Sequence, residues 1–216
     1  MLGDKPVIAY AIQAGLEAET IDRVVCSTDD DEIAQVARQW GAETPFMRPA
    51  ELAQDDTEDW PVFEHALRWL EKHEGWVPDL VVNLRPTSPF RRAEHVDAAV
   101  RLLIESGADS VKSVSHARQH PHKMWRMPNG KQELMAPFEA TEFRMRRGPD
   151  VPRAQLEHVY WQNGMVDVTR RSVILEQGVM IGARVAGLIT EVEDAVDLDS
   201  PLDFLIAEAL LAQRSR

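Results

Sequence analysis

One run, Leu80-Val81-Val82-Asn83-Leu84, constrains the fold of this chain more than any other stretch. It is apolar without alternation, as a strand reads when both its faces are covered. Helical patterns flank it. Val7, Ile8, Ala11, Ile12, Gly15 and Leu16 recur at helical spacing and predict a helix over 6–18, with Pro6 near its first turn. A helix follows over 30–40, capped by Asp29 or Asp30 and stopped by Gly41. Another is predicted over 61–73, with Asp59 as cap and Val62, Phe63, Ala66, Leu67 and Leu70 as its buried stripe. A fourth covers 93–105, and the last runs over 201–213 from Ser200 as cap. Short strands are predicted at 23–27, 44–46, 110–115, 165–168 and 185–189. Helices alternating with short buried strands imply an α/β fold: a Rossmann-like, mostly parallel sheet with helices on both faces. The expected organisation is one domain over 1–216, with an inserted lobe at 116–160. There the pattern breaks into prolines, a Pro-Asn-Gly turn at 128–130 and scattered Met and aromatic residues.

Composition narrows the function. The 216 residues, 44% hydrophobic, suffice for a substantial core. No apolar run reaches the ~20 residues of a membrane span, and Met1-Leu2-Gly3-Asp4-Lys5 has no signal-peptide character. Cys26 is the single cysteine, which excludes a disulfide framework, and a cytoplasmic protein is expected. A net charge of -12 argues against nucleic acid, whose binding rests on Lys and Arg neutralising phosphates. Local basic islands (Arg91-Arg92, Lys123 to Arg126, and Arg144, Arg146 and Arg147) still suit small anions.

Two segments can carry chemistry. Arg85-Pro86-Thr87-Ser88-Pro89 directly follows the buried strand, at the carboxyl edge where parallel sheets bind ligands. Arg85 offers a planar donor fork, and Thr87 and Ser88 offer hydroxyls. An ordinary capped strand-to-helix turn has the same composition, so both readings stand. Asp197 and Asp199 lie two apart, so in an extended segment both carboxylates point one way, as a Mg²⁺ site needs. Taken alone, the pair reads more readily as a solvated acidic stretch leading into the last helix. Asp29-Asp30-Asp31 reads as helix capping. His116, His120 and His122 match no zinc spacing, and neither a Walker sequence nor G-x-G-x-x-G is present.

Taken in order, several stretches resemble the acylneuraminate (CMP-sialic acid synthetase) cytidylyltransferase family. They are Lys5-Pro6-Val7-Ile8-Ala9-Tyr10, Asp22-Arg23-Val24-Val25 with Ser27-Thr28-Asp29-Asp30, and Arg48-Pro49-Ala50-Glu51-Leu52 through Thr57. Pro86-Thr87-Ser88-Pro89, His120-Pro121-His122-Lys123-Met124-Trp125, Asn163-Gly164 and Asp197-Leu198-Asp199 complete the set. The resemblance implies transfer of CMP from CTP to the anomeric hydroxyl of an acidic keto sugar, with release of pyrophosphate. It implies Mg²⁺ on Asp197 and Asp199 as metal ligands and catalytic groups. Arg48 would contact the nucleotide. Arg85, Lys123, Arg146 and Asn163, with Thr87, Ser88 and Arg147, would line the substrate pocket. The lobe would serve a homodimer, and the sugar would be destined for a surface polysaccharide. A noncatalytic sugar-acid-binding protein and a CTP:octulosonic acid cytidylyltransferase are the alternatives.

Two departures bear on the sugar. Arg85 stands where sialic acid enzymes carry Gln, and Asp59 where a small hydroxyl residue is common. They point to a related nonulosonic or octulosonic acid rather than N-acetylneuraminate. The family also opens on a strand and a phosphate-binding loop of the form A-R-G-G-S-K-G, whereas this sequence opens on a helix. The expectation is that the first strand is absent, and that a 216-residue form without the loop is poorly stable or inactive.

Overall fold

The computed structural model describes residues 1–127, 136–138 and 151–214. In chain order the elements are α1 (Val7–Glu17), α2 (Asp31–Gln39), α3 (Asp59–Glu74), β1 (Leu80–Asn83), α4 (Ala93–Ser106) and β2 (Ser110–His116). They continue with β3 (Trp125–Arg126), β4 (Ala136–Pro137), β5 (Tyr160–Arg170), α5 (Arg171–Gln177), β6 (Val185–Ile189) and α6 (Pro201–Arg214). Two compact units result, Met1–Val114 with Gln162–Arg216, and Ser115–Trp161.

The main sheet has the order β1-β5-β2-β6. β2 pairs in parallel with β6, from Ser110 opposite Val185 to Val114 opposite Ile189. β1 pairs antiparallel with β5, from Leu80 opposite Arg170 to Asn83 opposite Asp167. β5 therefore runs opposite to its neighbour β1. Burial follows position. Residues 163–169 of β5 are all buried, as a central strand covered on both faces requires, whereas edge strand β6 alternates between exposed and half-buried. α4 lays Val96, Ala99, Val100 and Leu103 against Val111, Met165, Val166 and Val168, forming the largest core cluster.

Local chemistry explains several boundaries. Asp30 caps α2 by accepting from the Ile33 N–H at 2.9 Å. α3 and α4 end at Gly75 and Gly107 in the left-handed conformation. Asp97 of α4 is buried and accepts from the Thr20 hydroxyl at 2.7 Å and from the Thr20 and Glu19 N–H groups, fastening the chain beyond α1. Burial alone would raise this carboxyl; the hydrogen bonds outweigh it and hold it below its ordinary range.

Four sequence expectations need correction, the first being the strand expected over 44–46, which does not form. The strand expected over 23–27 reduces to a single parallel bridge, Val25 to Glu43, made by the Cys26 and Glu43 N–H groups. Asp59 is not the cap of α3 but its first residue; Glu58 holds the cap position without a side-chain hydrogen bond, because the Asp59 carboxylate is turned to Arg85. Ser200 does precede α6, but its hydroxyl donates to the Asp203 carboxylate at 2.6 Å, and that carboxylate also takes the Ser200 N–H at 2.7 Å.

Candidate active site

The loop after β1 and the segment after β6 meet. The Leu198 N–H donates to the Thr87 carbonyl at 2.9 Å. Leu198 is buried in a cluster with Leu2, Phe90 and Ala207, so the two segments share an apolar anchor. Asp199 is exposed and Asp197 half-buried. Asp194, three residues earlier, is buried and bound by Arg92 at 2.9 Å and Arg214 at 2.6 Å, which fixes the segment at its other end.

Arg91 ties this loop to β5. Its Nε donates to the Met165 carbonyl and its Nη2 to the Arg85 carbonyl, the latter at 2.8 Å. Burial pushes its guanidinium down to about 9, against the pull of Asp167 and Asp197, so it stays cationic at neutral pH. Beneath it, Lys112 of β2 and Asp167 of β5 form a buried ion pair at 2.8 Å. A ladder of alternating charge (Lys112, Asp167, Arg91, Asp197) thus runs from the sheet to the acidic segment.

Asn163 and Gly164 make a bulge in β5. Gly164 has φ 70°, open to glycine without penalty. The Met165 N–H turns to the Asn163 Oδ1 at 3.2 Å, and the Val166 N–H to the hydroxyl of Ser113 on neighbouring strand β2 at 2.9 Å. The Asn163 amide also accepts from Ser113 at 2.6 Å and donates to Thr190 at 2.7 Å. Asn163 is therefore buried and committed to holding β5, β2 and β6 together under the site. Above the bulge lies Arg85: a Cβ placed on Gly164 would stand 3.4 Å from its Nη1. Arg85 also pairs with Asp59 at 3.0 Å.

The structure thus gathers Arg85, Thr87, Ser88, Asn163, Asp197 and Asp199 at one edge of the sheet. Arg48 sits on a separate segment, with its guanidinium on the Ser27 hydroxyl and carbonyl. Lys123 belongs to the unit Ser115–Trp161. Arg144, Arg146, Arg147 and the turn at 128–130 lie outside the described residues. Lys112 and Asp167 escaped the sequence reading, and Arg91 entered it only as half of a basic island, because charged residues beside or within strands read as solvated. The one available signal was Arg91 in a loop otherwise closed by prolines.

Four buried polar atoms without a hydrogen-bond partner among the described residues, Asp197 Oδ1, Ser88 Oγ, Arg91 Nη1 and Asp167 Oδ1, fall in this cluster and the charge ladder beneath it. An orphaned buried carboxylate oxygen is costly unless something else meets it. No group of three or more His, Cys, Asp or Glu side chains converges among the described residues. Two carboxylates suit Mg²⁺, which keeps several waters and completes its shell with phosphate oxygens.

The family description Cytidylyltransferase matches residues 1–172. The chain is 30% identical over 217 residues to a CMP-N,N'-diacetyllegionaminic acid synthase of Legionella pneumophila, covering 98% of this chain and 87% of that protein. It is 28% identical over its full length to an N-acylneuraminate cytidylyltransferase of Escherichia coli, of which it spans 48%. A solved CMP:2-keto-3-deoxy-manno-octonic acid synthetase, complexed with CTP, superposes with a TM-score of 0.67 at 15% identity, over 99% of this chain and 90% of that one. The last shows the fold alone. The chain belongs to the cytidylyltransferase family.

Proposed function

We propose that this chain transfers CMP from CTP to the anomeric hydroxyl of a sialic-acid-like acidic keto sugar and releases pyrophosphate. The observation that carries the reading is the junction of the Arg85–Ser88 loop with the Asp197–Asp199 segment through Leu198 and Thr87, in a chain of this family. Relatives named for CMP-legionaminic and acylneuraminate chemistry support the sugar class. In the reaction the sugar oxygen bonds to the α-phosphorus of CTP, the bond to the β-phosphate bridging oxygen breaks, and the hydroxyl proton goes to solvent.

Asp197 and Asp199 would hold Mg²⁺, which when bound neutralises charge on the phosphates and acidifies the attacking hydroxyl. The protein's own part is placement. The loop and the acidic segment are fixed to each other, Arg91 fixes both to β5, and Arg85 stands over the Asn163-Gly164 bulge where a sugar would lie. Arg48 would meet the nucleotide, and Lys123 the sugar carboxylate. The reading includes a cytoplasmic homodimer, supported by the resemblance and the lone cysteine; none of the described helices is long and apolar enough to cross a membrane. Light scattering after size-exclusion chromatography tests the dimer.

Thermal melting tests the nucleotide half of the reading. CTP with Mg²⁺ at a hundredfold excess over Kd is expected to stabilise the protein by about 2.7 kcal/mol. The gain is expected to vanish in Asp199→Asn and without the metal. No shift with CTP and Mg²⁺, alongside a shift with a sugar acid, would instead indicate a noncatalytic binder.

A further inference from the structure

Arg85 is fixed at three points yet keeps free donors. Its carbonyl is held by Arg91, its fork by Asp59 through Nη2, and its body lies over Gly164. Nε and Nη1 have no hydrogen-bond partner among the described residues, and the second Asp59 oxygen is likewise uncommitted. The side chains are 42% and 52% exposed, so an ion pair of this kind adds only about 0–1 kcal/mol to stability. Its consequence lies in what it presents to a ligand. A guanidinium already neutralised by a carboxylate does not favour an anion, and the neighbouring Asp59 oxygen repels one. The pair offers donors and an acceptor side by side without net charge. Such a surface matches an uncharged group with its own donor and acceptor fixed in one plane, as in an acylamino N–H and C=O.

We propose that Asp59 and Arg85 act together as the specificity-determining pair of the sugar site, reading an acylamino substituent rather than the acid's carboxylate. The inference rests on the sugar-acid reading above and names the group recognised there. Asp59 is the positioning member, and Arg85 touches the substrate.

The test compares Asp59→Asn, Arg85→Gln and the double variant with the unmodified protein. The probes are N,N'-diacetyllegionaminate, which carries acylamino groups, and 3-deoxy-manno-octulosonate, which carries none. Turnover is read as pyrophosphate release, and binding is read separately by calorimetry. Asp59→Asn is expected to raise KM and Kd for the acylamino sugar at least tenfold. The KM for CTP, kcat and Tm should change little, and the octulosonate constants less than threefold. In the Arg85→Gln background, Asp59→Asn should add nothing. Equal losses for both sugars, a change confined to CTP, additive losses in the double variant, or no acylamino sugar binding at all would each overturn the pairing. Coupled binding without turnover would retain the pairing and refute the transferase reading instead.

Discussion

Replacing Asp197 with Asn is expected to lower pyrophosphate release about 100- to 1,000-fold, the range seen when one group stabilising transition-state charge is removed. The loss should fall on kcat/KM for CTP, because the metal both binds the nucleotide and stabilises the transition state, and Asp199→Asn should behave alike. Asn keeps the volume and one oxygen of each side chain but not its charge, so the variants separate metal holding from packing. Asp197 also faces Arg91, and its Oδ1 is buried without a protein partner. A melting curve must therefore accompany the kinetics. If Tm falls while Mg²⁺ activation stays as in the unmodified protein, Asp197 serves only as the counter-charge of Arg91. A normal rate in both variants would remove Asp197 and Asp199 from the site.

The second large effect is on stability. Lys112→Met is expected to destabilise the fold by about 3 kcal/mol, the low end for breaking a buried pair, because Arg91 still faces Asp167. For a domain of this size that is a fall in Tm of roughly 6–12 °C. Adding Asp167→Leu should recover most of the loss, since replacing both charges by apolar groups avoids an unpaired buried carboxylate. Denaturant unfolding of the single and double variants measures both. A single variant as stable as the parent would show that the pair is hydrated in solution.

How far the sequence disclosed all this differs by residue. The 185–189 strand was legible because its bounds are set by an apolar, β-branched run, and α4 because its stripe is regular. Arg85–Ser88 was legible as a candidate through its chemistry and its place after an apolar strand, and Asp197–Asp199 through the two-residue spacing of its carboxylates. That they touch was not, since the Leu198 to Thr87 hydrogen bond joins residues far apart in sequence. The Asn163-Gly164 bulge was hidden for a related reason. Its amide is used by Ser113 and Thr190 on other strands, and a linear pattern carries no register between strands. Asp59 was misread as a cap because Asp before a helical stripe usually caps; here a long-range ion pair with Arg85 displaces the local bond. Lys112 and Asp167 were invisible individually, because only burial and mutual contact distinguish them from solvated charges.

The most direct test of the account is pyrophosphate release from CTP with Mg²⁺ and a panel of nonulosonic and octulosonic acids. It is run on the 216-residue chain with and without Mg²⁺. The account predicts release that requires the metal and a sugar acid together, with an acylamino-bearing nonulosonic acid preferred. Silence from the well-folded chain with every sugar offered would contradict it.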